Sequence, residues 1–236
     1  MSIQSHASPS SSEGPWPVVP PLETGDCLSR AEFEQRYAAM PHLKKAELVG
    51  GVVYVPSPVA EPHAMAHARL MTWLGVFAAL TPGMHHADNA TVRLDHENEL
   101  QPDALLRITH GGQSSVGSEH YIEGPPELVA EVAATTASRD LHSKLDIYRR
   151  HGVREYLVWR VFDAGLDWFQ LDGTRYVCLT DEAGLLRSRV FPGLWLDRGA
   201  LLRGDMARVL AVVQQGIASS EHAELVARVG RRPDTQ

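Results

Sequence analysis

Along the chain, short blocks that alternate apolar and polar residues give way to blocks with apolar residues every three to four positions. The first pattern predicts strands and the second predicts helices. Ser29 is placed to cap a helix through about Ala39; Glu32 completes a capping box, and Phe33 and Tyr37 share a face at i, i+4. Residues 46–55 read as two β-rich runs around Gly50-Gly51, a hairpin halted by Pro56 and Pro58. Residues 62–80 predict a helix with Pro62 in its first turn. Residues 84–94 and 100–108 predict two strands joined by a polar turn at 95–99.

A Gly/Ser loop over 110–118 precedes an apolar strand at 127–133. Ser138 is placed to cap a helix that runs to His151 and ends at Gly152. Residues 154–161 form the next strand, and 166–171 and 175–179 pair as a hairpin across Asp172-Gly173. Two further helices are expected at 205–216 and 220–229. A strand, a helix and a strand between 127 and 161 imply one parallel crossover in a mixed sheet. The fold class expected is α/β, a mixed sheet flanked by helices with an N-terminal hairpin and C-terminal helices. Its parts are a Ser/Pro-rich leader at 1–25, a central domain at 26–204 and a helical tail at 205–236.

The leader reading comes from composition. Residues 1–25 hold six Ser and five Pro and no Lys or Arg, and lack the basic start and apolar stretch of a signal peptide. The whole chain, 236 residues with 44% hydrophobic and 22% charged, is long enough for a core without disulfide staples. Two distant cysteines, Cys27 and Cys178, exclude a disulfide scaffold and suit a reducing, cytoplasmic setting. No apolar run is long enough to span a bilayer. The net charge of −7 argues against binding polyanions by bulk charge. A nucleic-acid contact therefore needs a local basic patch or a metal ion.

Two carboxylates stand out. Asp103 follows Pro102 at the mouth of a predicted strand, and Glu131 lies inside another, between Val129-Ala130 and Val132-Ala133. An ionised carboxylate in an apolar strand is costly unless paired or bound to metal. On the 138–151 helix, Leu141, Leu145 and Tyr148 mark the buried face, and Lys144 falls on the same arc. Asp140 lies one turn earlier, while Ser143, Asp146 and Arg150 point away. Two acids and an ammonium suit phosphoryl chemistry: Asp and Glu hold a hard cation such as Mg²⁺ or Mn²⁺, and the lysine orients water or neutralises developing charge. Close carboxylates without a cation should leave at least one pKa raised.

The ordered set Ala46-Glu47-Leu48-Val49-Gly50-Gly51-Val52-Val53, His63, Gln101-Pro102-Asp103, Pro126-Glu127-Leu128-Val129-Ala130-Glu131-Val132, Asp140, Lys144, Tyr148, Gly152-Val153-Arg154-Glu155-Tyr156 and Phe191-Pro192-Gly193-Leu194 resembles the PD-(D/E)XK nuclease superfamily. More narrowly it resembles the Uma-two family of restriction-endonuclease-like proteins, over about residues 28–205. The resemblance implies a restriction-endonuclease-like core and a metal-dependent phosphodiesterase site. Asp103 and Glu131 would then be metal ligands, and Glu47 the additional acid of the superfamily. The superfamily lysine stands two residues after the Glu, where this chain has Ala133; Lys144 is the candidate to replace it. The segment 133–137 also lacks the Ser-Pro usual after this strand.

Other chemistries fit less well. His63 and His67 stand four apart, but Ala64 occupies the place of the zinc-protease glutamate. His85 and His86 point to opposite faces of a strand. Gly111-Gly112 lacks the Lys-Ser/Thr of a phosphate loop, and no serine has a nucleophile-elbow context. Arg139, Lys144, Arg149, Arg150, His151 and Arg154 form a basic cluster able to meet phosphates. The function expected is a Mg²⁺-dependent endonuclease acting on DNA, with Asp103, Glu131, Lys144 and Glu47 as site residues and a homodimer allowed. The alternative is an inactive member of the fold that binds nucleic acid or protein.

Overall fold

The computed structural model describes residues 19–134 and 140–229. Its helices are α1 (Arg30–Ala38), α2 (Glu61–Ala79), α3 (Leu145–Arg150), α4 (Arg198–Arg203), α5 (Met206–Ile217) and α6 (Ser220–Val229). A π-helical turn, Asp140–Lys144, leads into α3. One sheet contains β1 (Glu47–Val49), β2 (Val52–Tyr54), β4 (Val92–Arg93), β5 (Glu99–Leu100), β7 (Ser115–Val116) and β8 (Ile122–Glu123), in the order β2-β1-β5-β4-β8-β7. The larger sheet contains β3 (Met84–Asp88), β6 (Ala104–Ile108), β9 (Leu128–Ala133), β10 (Glu155–Arg160), β11 (Gly165–Asp172) and β12 (Arg175–Cys178), in the order β12-β11-β10-β9-β6-β3. A short ribbon pairs β13 (Leu186–Arg187) with β14 (Trp195–Leu196).

The expected mixed α/β architecture is what forms. The Gly50-Gly51 hairpin, the β11–β12 hairpin and the parallel β9–β10 pair stand where the residue pattern placed them. Ser29 caps α1 by accepting from the Glu32 N–H. The two long strands expected at 84–94 and 100–108 need correction, because each is broken and shared between the sheets. Asn89 adopts a left-handed conformation between β3 and β4. Pro102 has no N–H for a ladder and interrupts the other strand. The antiparallel pairs β3–β6 and β4–β5 thus continue one another around a corner. Asp103 sits at that corner.

Both faces of the larger sheet are covered. On one, Ala66, Leu70, Trp73, Leu74 and Phe77 of α2, spaced as one helical stripe, meet Ala130 and Val132 of β9 and Leu157 of β10. Val209, Val213 and Leu225 belong to the same core, so the residues set apart as a tail at 205 pack on the central domain. The sequence pattern did not isolate α4, which Asp197 caps by accepting from the Ala200 N–H. On the opposite face Val129, Ala133, Tyr156 and Val158 meet Ile147 and Tyr148 of α3. Of the leader expected at 1–25, residues 1–18 lie outside the described residues. Leu22 is buried against Phe33, and the Gly25 N–H donates to Val53 O. The Ser138 cap also falls outside the described residues.

Candidate active site

The period of a strand fixes which face Glu131 uses. Val129, Glu131 and Ala133 point one way and Ala130 and Val132 the other, so Glu131 faces α3 across an apolar layer. Ladder pairing runs Leu106↔Leu128, Leu105↔Val129, Ala104↔Ala130. One step further along this register brings Asp103 opposite Glu131. There the Asp103 side chain continues the ladder, its Oδ2 accepting from the Val132 N–H at 2.9 Å. Directly opposed residues have neighbouring side chains, so a residue at the corner and a residue within a strand share one side of the sheet.

Lys144 comes from the π turn. Its Nζ donates to Glu131 Oε1 at 2.8 Å and to Glu47 Oε1 at 2.9 Å, and lies 3.9 Å from Asp140 Oδ1. Glu47 is held in turn by the Gln101 N–H, 2.9 Å from Oε1. The side chains of Glu47, Glu131, Asp140 and Lys144 are each at most 4% exposed. Tyr148 adds a hydroxyl that donates to Glu131 Oε1 at 3.1 Å. Three of the four expected site residues therefore meet directly, Glu47 from the small sheet, Glu131 from the large sheet and Lys144 from the helix, while Asp103 at the corner adjoins them through the Val132 N–H. Ala133 is buried in the layer that holds Tyr148 and Tyr156.

The sequence did not point to Lys45 or to a structural role for His67. Lys45 Nζ lies 3.1 Å from Asp103 Oδ1 and 2.8 Å from Asn89 Oδ1. His63 Nε2 lies 3.2 Å from Asp103 Oδ2. His67 Nε2 lies 2.6 Å from the Asp103 carbonyl oxygen and 3.1 Å from Asp88 Oδ1. No local signal singled out Lys45, which stands two residues before β1 and whose partners Asn89 and Asp103 are distant in sequence. Of the basic cluster expected to meet phosphates, Arg139 lies outside the described residues. Lys144 is buried, Arg149 and Arg150 both pair with Asp146, and His151 pairs with Asp95.

Charge explains the protonation pattern. Glu47 and Glu131 share the ammonium of Lys144, with Asp140 3.9 Å from it, while Lys45 and His63 face Asp103. Burial pushes Glu131 up to about 8, helped by Asp103, Asp140 and Glu47 and opposed by Lys144. Burial also works to raise Asp103, but His63, Lys45 and the Val132 N–H together hold it well below the usual carboxylate range. Glu47 is held low against its burial by Lys144, then Lys45. Burial works to lower Lys144, yet Glu131, Glu47 and Asp140 keep it well above the ordinary lysine range. Glu131 thus carries the proton that the surplus of acid demands at neutral pH.

These residues fit a divalent cation. The donors are hard oxygens, and Glu131 and Asp103 neighbour one another across the ladder. Among the described residues no three acidic, histidine or cysteine side chains converge on a single metal position. A bound Mg²⁺ would take one or two of these carboxylates and complete its shell with water and phosphate oxygens.

A family model described as "putative restriction endonuclease" (Uma2) matches residues 30–199. Among solved structures, the chain is similar to "a putative nuclease belonging to DUF820 from Anabaena variabilis", with TM-score 0.57 and 9% identity over 72% of this chain and 96% of that one. At that identity the likeness concerns the fold. No curated protein matches the chain.

Proposed function

The chain belongs to the Uma2 restriction-endonuclease family, and from that premise we propose that it is a Mg²⁺-dependent endonuclease that hydrolyses phosphodiester bonds of DNA. The observation that carries this reading is the meeting of Glu131 with Lys144 at 2.8 Å, with Asp103 across the ladder. Asp103 and Glu131 would hold the ion. When bound, the ion supplies positive charge to phosphoryl oxygens and acidifies a water. Lys144 keeps its charge at any physiological pH, so it is a fixed cation rather than a proton donor. In that state it orients a water beside Glu131 and offsets negative charge that builds during attack. Glu47 fixes the lysine from the other side, and Tyr148 fixes the Glu131 oxygen. The dense packing around these groups keeps bulk water out of the layer behind them.

A second reading, a binding module that no longer cleaves, draws on the same geometry. Lys144 already has two short carboxylate bonds, and Ala133 stands where the superfamily lysine does. One assay separates the two. Purified protein and its Asp103→Ala variant are incubated with supercoiled plasmid and Mg²⁺ or Mn²⁺. The nuclease reading expects relaxed circles from the unaltered protein alone. Equal background nicking by both proteins would remove it.

A further inference from the structure

We propose that Lys45 is the residue that receives the substrate's phosphodiester group at the mouth of this site. The proposal rests on the nuclease reading above and names a substrate contact that reading leaves open. It begins from access. The side chains of Glu47, Glu131, Asp140 and Lys144 lie at the back of the site, at most 4% exposed, and Asp103 is 8% exposed. Lys45, 24% exposed, and His63, 19% exposed, flank Asp103 on its outer side. A phosphate approaching Asp103 from solvent meets Lys45 before it can meet Lys144.

Electrostatics favours such a group. The chain has a net charge of −7, and the inner layer holds more carboxylates than ammoniums. A phosphodiester would be repelled from this mouth without local positive charge, which Lys45 supplies alongside the proposed ion. On the helix that looked basic in the sequence, Arg149 and Arg150 share the single carboxylate of Asp146, which offsets one of their two charges.

Lys45 is already aimed. Asn89 Oδ1 and Asp103 Oδ1 accept from its ammonium at 2.8 and 3.1 Å. An ammonium has three protons to donate, so these two bonds fix its direction and leave one for a phosphate oxygen. A purely structural role explains the lysine poorly, because part-exposed ion pairs of this kind contribute little to folding. Asp103 also keeps the Val132 N–H and His63 without it.

The test measures binding, so it does not depend on turnover. The full chain is titrated against a fluorescein-labelled duplex DNA two helical turns long, with calcium in place of magnesium, by fluorescence anisotropy over a range of salt. Lys45→Met should weaken binding about tenfold and lower the slope of log K against log salt by about one, the loss of a single phosphate contact. Lys45→Arg should retain the slope. Lys44→Met removes the same charge from an exposed neighbour and should change neither. A Lys45→Met slope equal to that of the unaltered protein would overturn the proposal, as would an equal fall with Lys44→Met. Failure of the unaltered protein to bind the duplex would remove the nucleic-acid reading itself, a result distinct from both.

Discussion

Lys144 Nζ donates to Glu131 Oε1 at 2.8 Å, although the lysine stands on the helix that follows the glutamate's strand. Two residues after Glu131 on the strand, Ala133 is buried in a layer with Tyr148 and Tyr156. The π turn at Asp140–Lys144 widens the helix where it enters this layer, and turns of this kind occur often at functional sites. A charge required beside Glu131 is thus delivered from the layer above the sheet.

Removing that charge strands the acids around it. Lys144→Met should destabilise the protein by about 3–5 kcal/mol, the usual cost of deleting one partner of a buried pair. Urea denaturation at neutral pH measures it. Glu47→Gln in the Lys144→Met background should recover part of the loss, because Glu47 is the buried carboxylate that stays ionised and loses its partner. Equal stability of Lys144→Met and the unaltered protein would mean that the ion pairs do not hold in solution.

The proposed ion should be detectable without a substrate. Titration calorimetry with manganese should give heat for the unaltered protein and none for Asp103→Ala. The release of about one proton from Glu131 should accompany binding at neutral pH, since its carboxyl sits at about 8 without the ion and a ligating carboxylate must be ionised. Repeating the titration in buffers of different ionisation heat reads that proton. An unaltered protein that binds no manganese would end the metal reading.

How much of this was legible in the chain depends on the range of each cause. Helices and hairpins were legible because caps, Gly-Gly and apolar period act locally: Ser29, Gly50-Gly51 and the α2 stripe each formed as their neighbours dictate. Lys144 was placed toward Glu131 by helical period, and Asp103 was singled out by its place after Pro102. The sharing of strands between two sheets was not legible, since it depends on which partner each half finds after the break at Gln101-Pro102-Asp103. Lys45 was missed for the same reason: its partners Asn89 and Asp103 are distant in sequence and meet it only once the corner forms.

A second buried glutamate, Glu155 on β10, gives a pH dependence away from the site. Its Oε1 accepts from the Arg189 and Val190 N–H groups at 2.7 and 3.1 Å, and its Oε2 from Ser188 Oγ at 2.8 Å. Burial pushes the carboxyl up to about 7 from 4.5, against these bonds. A folded-state pKa above the unfolded one means that the folded state keeps the proton longer. Stability from this group is therefore full below pH 4.5 and falls as pH rises through 7. The total is about 3 kcal/mol, from 1.36 kcal/mol per unit. Denaturation midpoints of the unaltered protein minus those of Glu155→Gln should decline across this window, and a flat difference would contradict the shift.

The C-terminal helices depend on one close approach, where Gly216 of α5 meets the Gly193 carbonyl and a Cβ at 216 would overlap that oxygen. Alanine is the better helix former by about 1 kcal/mol, so propensity alone would make Gly216→Ala stabilising. Overpacking of a tight contact costs about 1–3 kcal/mol, and here the obstacle is backbone, which cannot rotate away. Gly193 itself is fixed by a left-handed φ of +94° and by His222 beyond it. Gly216→Ala should therefore lower stability, and its effect should concentrate in α6, whose His222 packs on Phe77 and bonds Thr81. Hydrogen exchange should quicken over 220–229 while β9 and β10 stay protected. Unchanged protection there, with a raised melting temperature, would show that propensity outweighs the clash.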